Sequence, residues 1–337
     1  MSDQPSGDAP ADAPPIRIGV LGCADIARRR MLPALAASRG ISLVAVAGRD
    51  GARARETAAR YGCAAVTGYD ALLARDDLDA VYVPLPIALH AEWVEAALRS
   101  GRHVLAEKPL TGDPDTTRRL LELARERGLV VMENVMFVHH PQHAAVRRLV
   151  SECAIGRLKM LTATFTIPEL PSDNIRYRPD LGGGALMDVG LYPVRAASHL
   201  LGSRLEVVGA ALRSDPGRQV ETSGAALLVS PEDVLVHIGF GIGVGYRSAY
   251  ELCGSEGSIR LANAFTPAAD HHPVLMVERA TGTEPVVLEP CDQVAASVAA
   301  FVSGIRAGRG GLLDAEDCLE QARLLSAIRR IGAAAGR

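Results

Sequence analysis

The chain predicts an α/β protein in two parts: a doubly wound parallel sheet of Rossmann type, then an α+β domain on an open mixed or antiparallel sheet. Three observations predict it. Residues 16–133 alternate short apolar runs with helix-length segments; the first run ends in the glycine turn Gly19-Val20-Leu21-Gly22-Cys23-Ala24; and from residue 158 strand-length runs follow one another across turns. Strands joined through helices imply right-handed βαβ crossovers and a parallel sheet. At 337 residues the chain is too long for one ordinary core, so two domains are expected. The expected division is a disordered tail over 1–15, the doubly wound domain over 16–136, and the α+β domain over 137–337.

In order, Ile16 to Gly22 reads as a strand and Ile26 to Ser38 as a helix with apolar spacing at Met31, Leu32 and Leu35. Strands are expected at 41–47, 80–84, 103–106 and 130–133, and helices at 52–61, 91–100 and 114–127. One more helix, 142–152, precedes strands at 158–167, 205–213, 224–229, 234–240, 246–253, 258–261, 275–280 and 286–288. Pro231-Glu232-Asp233 and Gly254-Ser255-Glu256-Gly257 are turn signals between them. Helices return at 190–201, 293–307 and 315–332.

Composition narrows the function. A net charge of -3 with both signs interspersed sets up no field for nucleic acid or an anionic membrane surface, and 4% aromatics argues against base-stacking platforms. No apolar stretch approaches the roughly 20 residues needed to span a bilayer, and residues 1–15, rich in Asp, Pro and Ala, lack the basic and apolar regions of a secretory signal. Six scattered cysteines without a Cys-x-x-Cys pair suit reduced thiols, so a cytoplasmic protein is expected.

In the glycine turn, Gly19 and Gly22 allow a tight bend and close approach of backbone to a pyrophosphate, and Ala24 permits close helix contact. The helix that starts near Asp25 and Ile26 would aim its unpaired N–H groups at phosphate. At the end of the second strand, Gly48 makes room and Arg49 offers a planar cation for a ribose 2′-phosphate, favouring NADP(H); the alternative leaves Arg49 in solvent and gives the ribose to Asp50. Val83-Pro84-Leu85-Pro86, followed by His90, should form the loop where a nicotinamide ribose passes, with His90 a helix N-terminal or cofactor-flanking residue. Glu107-Lys108-Pro109 ends the apolar strand His103 to Ala106; the proline restricts Lys108 to extended backbone. There Lys108 would polarise a substrate oxygen, with Glu107 orienting or pairing with the ammonium.

The run Gly182-Gly183-Gly184-Ala185-Leu186-Met187-Asp188-Val189-Gly190-Leu191-Tyr192-Pro193 is the second signal. Triple glycine suggests backbone packed close to a ligand, while Asp188 and Tyr192 lie one helical turn apart and share a face. A tyrosine there would deliver a proton as hydride arrives at a carbonyl carbon. His139-His140-Pro141-Gln142-His143 invites a metal, but no carboxylate or thiolate partner lies nearby and hydride transfer needs none, so a pocket-lining helix entry is expected instead.

Together these residues resemble the glucose-fructose oxidoreductase / inositol dehydrogenase / rhizopine catabolism protein family, Gfo/Idh/MocA, from Ile16 over nearly the whole chain. Many members carry His where this chain has Tyr192, so the resemblance does not extend to polyol oxidation through a histidine. The stretches Cys23 to Ala27, Val81 to Pro86, His90 to Trp93, His103 to Thr111, Glu133 to His143 and Asp173 to Tyr177 are similar to nucleotide-sugar 3-ketoreductases of bacterial deoxysugar pathways. That resemblance implies NADPH-dependent reduction of the 3-keto group of a dTDP-3,4-diketo-2,6-dideoxyhexose. It implies Tyr192 as proton donor, Lys108 as substrate hydrogen-bond donor and Asp188 as orienting group. Cofactor contacts are expected from Gly22, Cys23, Ala24, Asp25, Ile26, Gly48, Arg49, Pro84, Leu85, His90, Glu107, Lys108 and Asn134. Substrate contacts are expected from Phe137, His140, Arg176, Tyr177 and Arg195, the arginines for the diphosphate; no metal is implied. Alternatives are an NADP-dependent dehydrogenase of a free sugar or trans-dihydrodiol, and a non-catalytic NADP(H)-binding regulator. The open second sheet would expose an apolar face, so a homo-oligomer is expected.

Overall fold

The computed structural model describes residues 13–202, 204–308, 311–312 and 315–335, so the expected tail lies, through residue 12, outside the described residues. The first domain alternates β1 (Ile16–Leu21), a π-helical turn (Ala27–Met31) running into α1 (Leu32–Ala37), β2 (Ile41–Gly48), α2 (Gly51–Ala59), β3 (Ala64–Thr67), α3 (Tyr69–Leu73), β4 (Ala80–Val83), α4 (His90–Arg99), β5 (His103–Ala106), α5 (Pro114–Glu126) and β6 (Val130–Glu133). Its strands lie parallel in the order β3-β2-β1-β4-β5-β6. Helices cover both faces, so β4 and β6 are buried at every residue, and the one charged residue among them, Glu133 at the end of β6, must be paired. Two elements were not legible in the sequence, β3 and α3. The strand is an edge strand with three of its four residues exposed, so it carries no apolar periodicity.

The second domain follows with α6 (Pro141–Ser151), β7 (Leu158–Ile167), a π-helical turn (Leu186–Gly190) running into α7 (Leu191–Leu201), then β8 (Glu206–Arg213), β9 (Ser223–Val229), β10 (Leu235–Ile242), β11 (Arg247–Gly254), β12 (Gly257–Ala262), β13 (Val274–Arg279) and β14 (Gly282–Val287). The eight strands form one mixed sheet in the order β14-β13-β12-β11-β7-β10-β9-β8, antiparallel except where β7 lies beside β10. Alternate residues of β7 and β10 (Leu161, Ala163, Phe165; Val236, Ile238, Phe240) turn to one face and join the core beneath α7. The other face is open.

The chain then returns to the first domain. In α8 (Gln293–Arg306), Val294, Val298, Phe301 and Val302 pack on the β1 and β2 side of the first sheet. Gly40 is glycine for that contact, since a Cβ there would sit 2.8 Å from Val302. A short β15 (Gly311–Leu312) adds to β6, and α9 (Ala315–Ala335) places Cys318 in the first core and Leu324, Leu325 and Ile328 in the second. The two sheets are thus joined by a shared helix, α9, which contributes to both cores. No described helix is long and apolar enough to cross a membrane.

Behind the second sheet sits a group of buried histidines. His143 is buried, with Nδ1 2.9 Å from the Tyr250 hydroxyl, and the His199 ring lies 6.2 Å from it edge to face. Burial drives the His143 imidazolium well below its ordinary range, with His199 and His140 adding repulsion. It also drives His199 down to about 4, with Arg147, Arg195 and His139 adding to the effect and Asp317 opposing it. In the unfolded chain these rings titrate near pH 6.5. Below that pH the unfolded state takes up protons that the folded state refuses, so stability is full above about pH 6.5 and is lost as pH falls towards 4. Thermal unfolding should show a midpoint that drops between pH 7 and pH 5, with His199→Gln flattening part of the slope. A midpoint constant across that window contradicts the account.

Candidate active site

The site forms at the carboxyl ends of the parallel strands, where an open α/β sheet offers its crevice. Gly22 has φ 127°, a conformation that needs glycine, and a Cβ there would press within 3.1 Å of Leu85 and 4.0 Å of Pro84. This turn therefore lies against the Pro84-Leu85 loop. Cys23 Sγ points back to the Ala47 carbonyl and packs under Gly48, tying the glycine turn to the end of β2. At that end Asp50 spends its carboxylate capping α2, accepting from Ala52 N at 2.8 Å, whereas Arg49 is exposed beside the buried Tyr69. Arg49 hydrogen-bonds the Tyr69 side chain, and its remaining guanidinium donors, the glycine turn and the helix start at Asp25 and Ile26 together fit a 2′-phosphorylated dinucleotide.

Lys108 leaves β5 through a cis Lys108–Pro109 bond. Its Nζ reaches across to the second domain, donating to the Asp188 carbonyl at 2.8 Å and to Asp188 Oδ1 at 2.9 Å. The carbonyl is available because Asp188 lies in the π-helical turn, where the residue due to donate to it is Pro193, which has no N–H. Asp188 Oδ2 accepts from Arg176 Nε at 2.5 Å. Burial alone would raise the Asp188 pKa; Lys108 and Arg176 more than offset it and hold the carboxylate at about 2. Burial works against the Lys108 ammonium, yet Asp188 raises its pKa above the ordinary value.

Tyr192, one turn beyond Asp188, places its ring 5.0 Å from Lys108 Nζ and rests on Phe165, Phe265 and Phe137 at centroid distances of 4.8, 5.9 and 6.0 Å. Burial raises the phenol's pKa and Lys108 opposes that rise, so it is a protonated phenol at neutral pH beside a cation. An ammonium that commits two N–H groups to Asp188 thus lies over the ring of a phenol, the two coming from different domains. Such a pair can bind a carbonyl oxygen and donate a proton to it as charge develops there.

Several expected roles are not met. Glu107 does not pair with the Lys108 ammonium: its Oε1 accepts from the Tyr82 hydroxyl and from Asn134 Nδ2, both at 2.8 Å. Asn134 is itself buried with its Oδ1 bonded to Ser297 at 2.7 Å, so it offers nothing to a ligand and instead braces Glu107. His90, fully buried, has its two ring nitrogens 2.8 Å from the Pro109 carbonyl and 2.7 Å from the Leu85 carbonyl; it ties two loops of the cleft together without lining it. Phe137 lies in the core behind Tyr192, and His140 caps α6 through Gln142 N, so neither lines a pocket. The triple glycine packs against the protein itself: Cβ atoms would meet Ile87 and Ala88 at Gly182, the Arg176 and Arg178 carbonyls at Gly183, and Glu221 at Gly184. Tyr177 lies beneath the Arg218 guanidinium, 3.6 Å from its ring centroid.

Arg195 departs furthest. It is 1% exposed and pairs at 3.4 Å with the equally buried Glu133, so it cannot reach a nucleotide. Glu133 also accepts from Leu110 N at 2.6 Å and Gln321 Nε2 at 2.8 Å, joining β6, α7, α9 and the turn after Pro109. Gln321 gives no signal in the sequence, and Glu133 and Tyr82 enter it only as members of longer stretches, because strand and helix interiors do not reveal a polar residue paired across domains. One signal was available for Lys108: it and the exposed Lys159 are the only two lysines in a chain that otherwise uses arginine.

Residues 16–135 match the oxidoreductase family with NAD-binding Rossmann fold, Gfo/Idh/MocA, and residues 143–260 match the Gfo/Idh/MocA C-terminal domain. The dTDP-3,4-didehydro-2,6-dideoxy-alpha-D-glucose 3-reductase of Streptomyces violaceoruber is 54% identical over 324 residues, covering 94% of this chain and 95% of that protein. Its counterpart in Actinomadura kijaniata is 49% identical, covering 95% and 96%. The crystal structure of KijD10, a 3-ketoreductase from Actinomadura kijaniata in complex with NADP and TDP-benzene, superposes with a TM-score of 0.92 at 49% identity, over 94% of this chain and 98% of that one.

Breaking the Arg195–Glu133 pair leaves a buried charge and should cost on the order of 3–5 kcal/mol. Arg195→Ala should therefore lower the unfolding midpoint sharply while leaving the affinity of the folded fraction for TDP unchanged; weaker TDP binding at unaltered stability would restore the diphosphate role.

Proposed function

The chain belongs to the Gfo/Idh/MocA oxidoreductase family, and from that premise we propose that it is an NADPH-dependent reductase of the C3 ketone of a dTDP-3,4-diketo-2,6-dideoxyhexose, forming the 3-hydroxy-4-keto sugar of a deoxysugar pathway. The observation that carries the reading is the meeting of Lys108 and Tyr192 across the cleft under the control of Asp188. The relatives named as 3-reductases, at 54% and 49% identity, support the substrate class.

Bound NADPH supplies the hydride. The chain's own residues do the rest. Lys108 has three N–H donors; two are committed to Asp188, and the third is free to hold the C3 oxygen. As negative charge grows on that oxygen, the ammonium stabilises it and Tyr192 transfers its phenolic proton to it, completing the hydroxyl. The resulting phenolate lies beside Lys108, which stabilises it until solvent returns the proton. Glu107, braced by Tyr82 and Asn134, fixes the strand end from which Lys108 projects, and His90 fixes Pro109 behind it.

The divisions at residues 16, 136 and 137 remain our proposed domain limits, with α8 returning to cover the first sheet. The open face of the second sheet carries exposed Leu227, Leu235 and Val274, and we assign it to contact with a second copy of the chain. We place the enzyme in the cytoplasm, where NADPH and nucleotide sugars are made; none of its six cysteines is in a disulfide among the described residues.

Incubating the protein with NADPH and the diketo sugar generated in situ should oxidise NADPH and yield a C3 hydroxyl by NMR; NADPH consumption by a free sugar or dihydrodiol alone contradicts the substrate. Tyr192→Phe and Lys108→Ala should each lower turnover by roughly 10²–10⁴-fold with NADPH still bound. Arg49→Ala should raise the KM for NADPH about tenfold or more while leaving that for NADH unchanged; an equal effect on both cofactors would return the ribose to Asp50.

A further inference from the structure

We propose that Arg176 is a positioning residue for the reduction: it shares the Asp188 carboxylate with Lys108 and thereby holds the ammonium's remaining N–H on the substrate carbonyl. This rests on the reductase reading above and deepens it. The same arginine, taken from sequence, reads as a grip on the diphosphate; its contacts assign it elsewhere.

A carboxylate bound by Lys108 alone could turn about its Cβ–Cγ bond and present either oxygen to the ammonium. Arg176 Nε on Oδ2 removes that freedom, so Oδ1 stays on Lys108 and the third N–H keeps one direction. Charge supports the same role. Two cations share one carboxylate, so the Lys108–Asp188–Arg176 cluster carries a net charge of +1 (two positive, one negative), with the Asp25 carboxylate also acting on Arg176 and the Glu107 carboxylate on Tyr192 beside it. Without Arg176 the remaining pair would be neutral.

The local chain is built to deliver this contact. Asn174 Oδ1 accepts from Arg176 N at 3.1 Å, and the Arg176 carbonyl accepts from Gly184 N at 2.9 Å, so the backbone on both sides is fixed. Gly183 has no room for a side chain, since a Cβ would lie 2.5 Å from the Arg176 carbonyl oxygen and 2.8 Å from that of Arg178. The glycines that looked like a ligand cradle are what let this loop lie against the helix carrying Asp188.

Three measurements on the full-length protein separate the cases. Turnover of the diketo sugar by wild type tests the reductase reading alone; its absence sinks that reading whatever Arg176 does. Titration calorimetry with TDP, in the presence of NADP, then compares R176Q with wild type: affinity within about threefold is expected, and a loss of tenfold or more makes Arg176 a diphosphate ligand and overturns the proposal. Finally, R176Q should lower kcat by roughly ten- to a hundredfold, the scale of a misdirected catalytic group, with R176K recovering part of it. In a D188N background R176Q should add nothing, because its effect passes through that carboxylate. An equal loss in both backgrounds, or full kcat in R176Q, contradicts the proposal. Should R176Q fold poorly, G183A displaces the same arginine without removing it and should reproduce the fall in kcat; full kcat in G183A counts against the proposal.

Discussion

The site depends on one carboxylate. Asp188 projects from the second domain and holds the ammonium of Lys108, which projects from the first, through both its side chain and its main-chain carbonyl. Isolated at that depth, either charge would be costly. Paired, the lysine stays protonated and the carboxylate stays ionised, and Tyr192 one helical turn away inherits a cation as neighbour. A fixed positive charge and a proton donor on one oxygen would both favour hydride addition to a ketone.

The rest of the molecule is arranged to keep the two halves of this contact in register. Glu133, buried with Arg195, Gln321 and the Leu110 amide, joins the turn after Pro109 to α7 and α9. Glu107, Tyr82, Asn134 and Ser297 form a second buried network directly beneath the lysine. Both networks couple the first sheet to elements that arrive late in the chain, so the geometry of Lys108 is a property of the whole fold. The π-helical turn at Leu186–Gly190 contributes locally, since it leaves the Asp188 carbonyl to the ammonium.

Much of this was legible in the sequence. Apolar runs bounded by glycine marked the parallel strands, and the spacing of Asp188 and Tyr192 placed them on one face. Glu107-Lys108-Pro109 marked the strand end that carries the charge. What stayed hidden was pairing between residues far apart in sequence. Arg195 looked like a free cation beside a substrate motif, and only the fold shows Glu133 62 residues away as its partner. Phe137 and His140 belong to a motif that borders the cleft, but helix direction turns them into the core. Triple glycine signalled close approach correctly; it did not say what approaches. The edge strand β3 lacked a pattern because its residues face solvent on both sides.

With only two lysines in the chain, the central contact is open to direct observation. Incorporation of lysine carrying ¹³C at Cε labels Lys108 and Lys159 without altering their N–H donors, and the Lys108 Cε resonance reports its ionisation as pH is varied. The account predicts titration above the ordinary lysine value of 10.5 in the wild-type protein and below it in Asp188→Asn, where burial is no longer offset by an anion. The same midpoint in both proteins would contradict it.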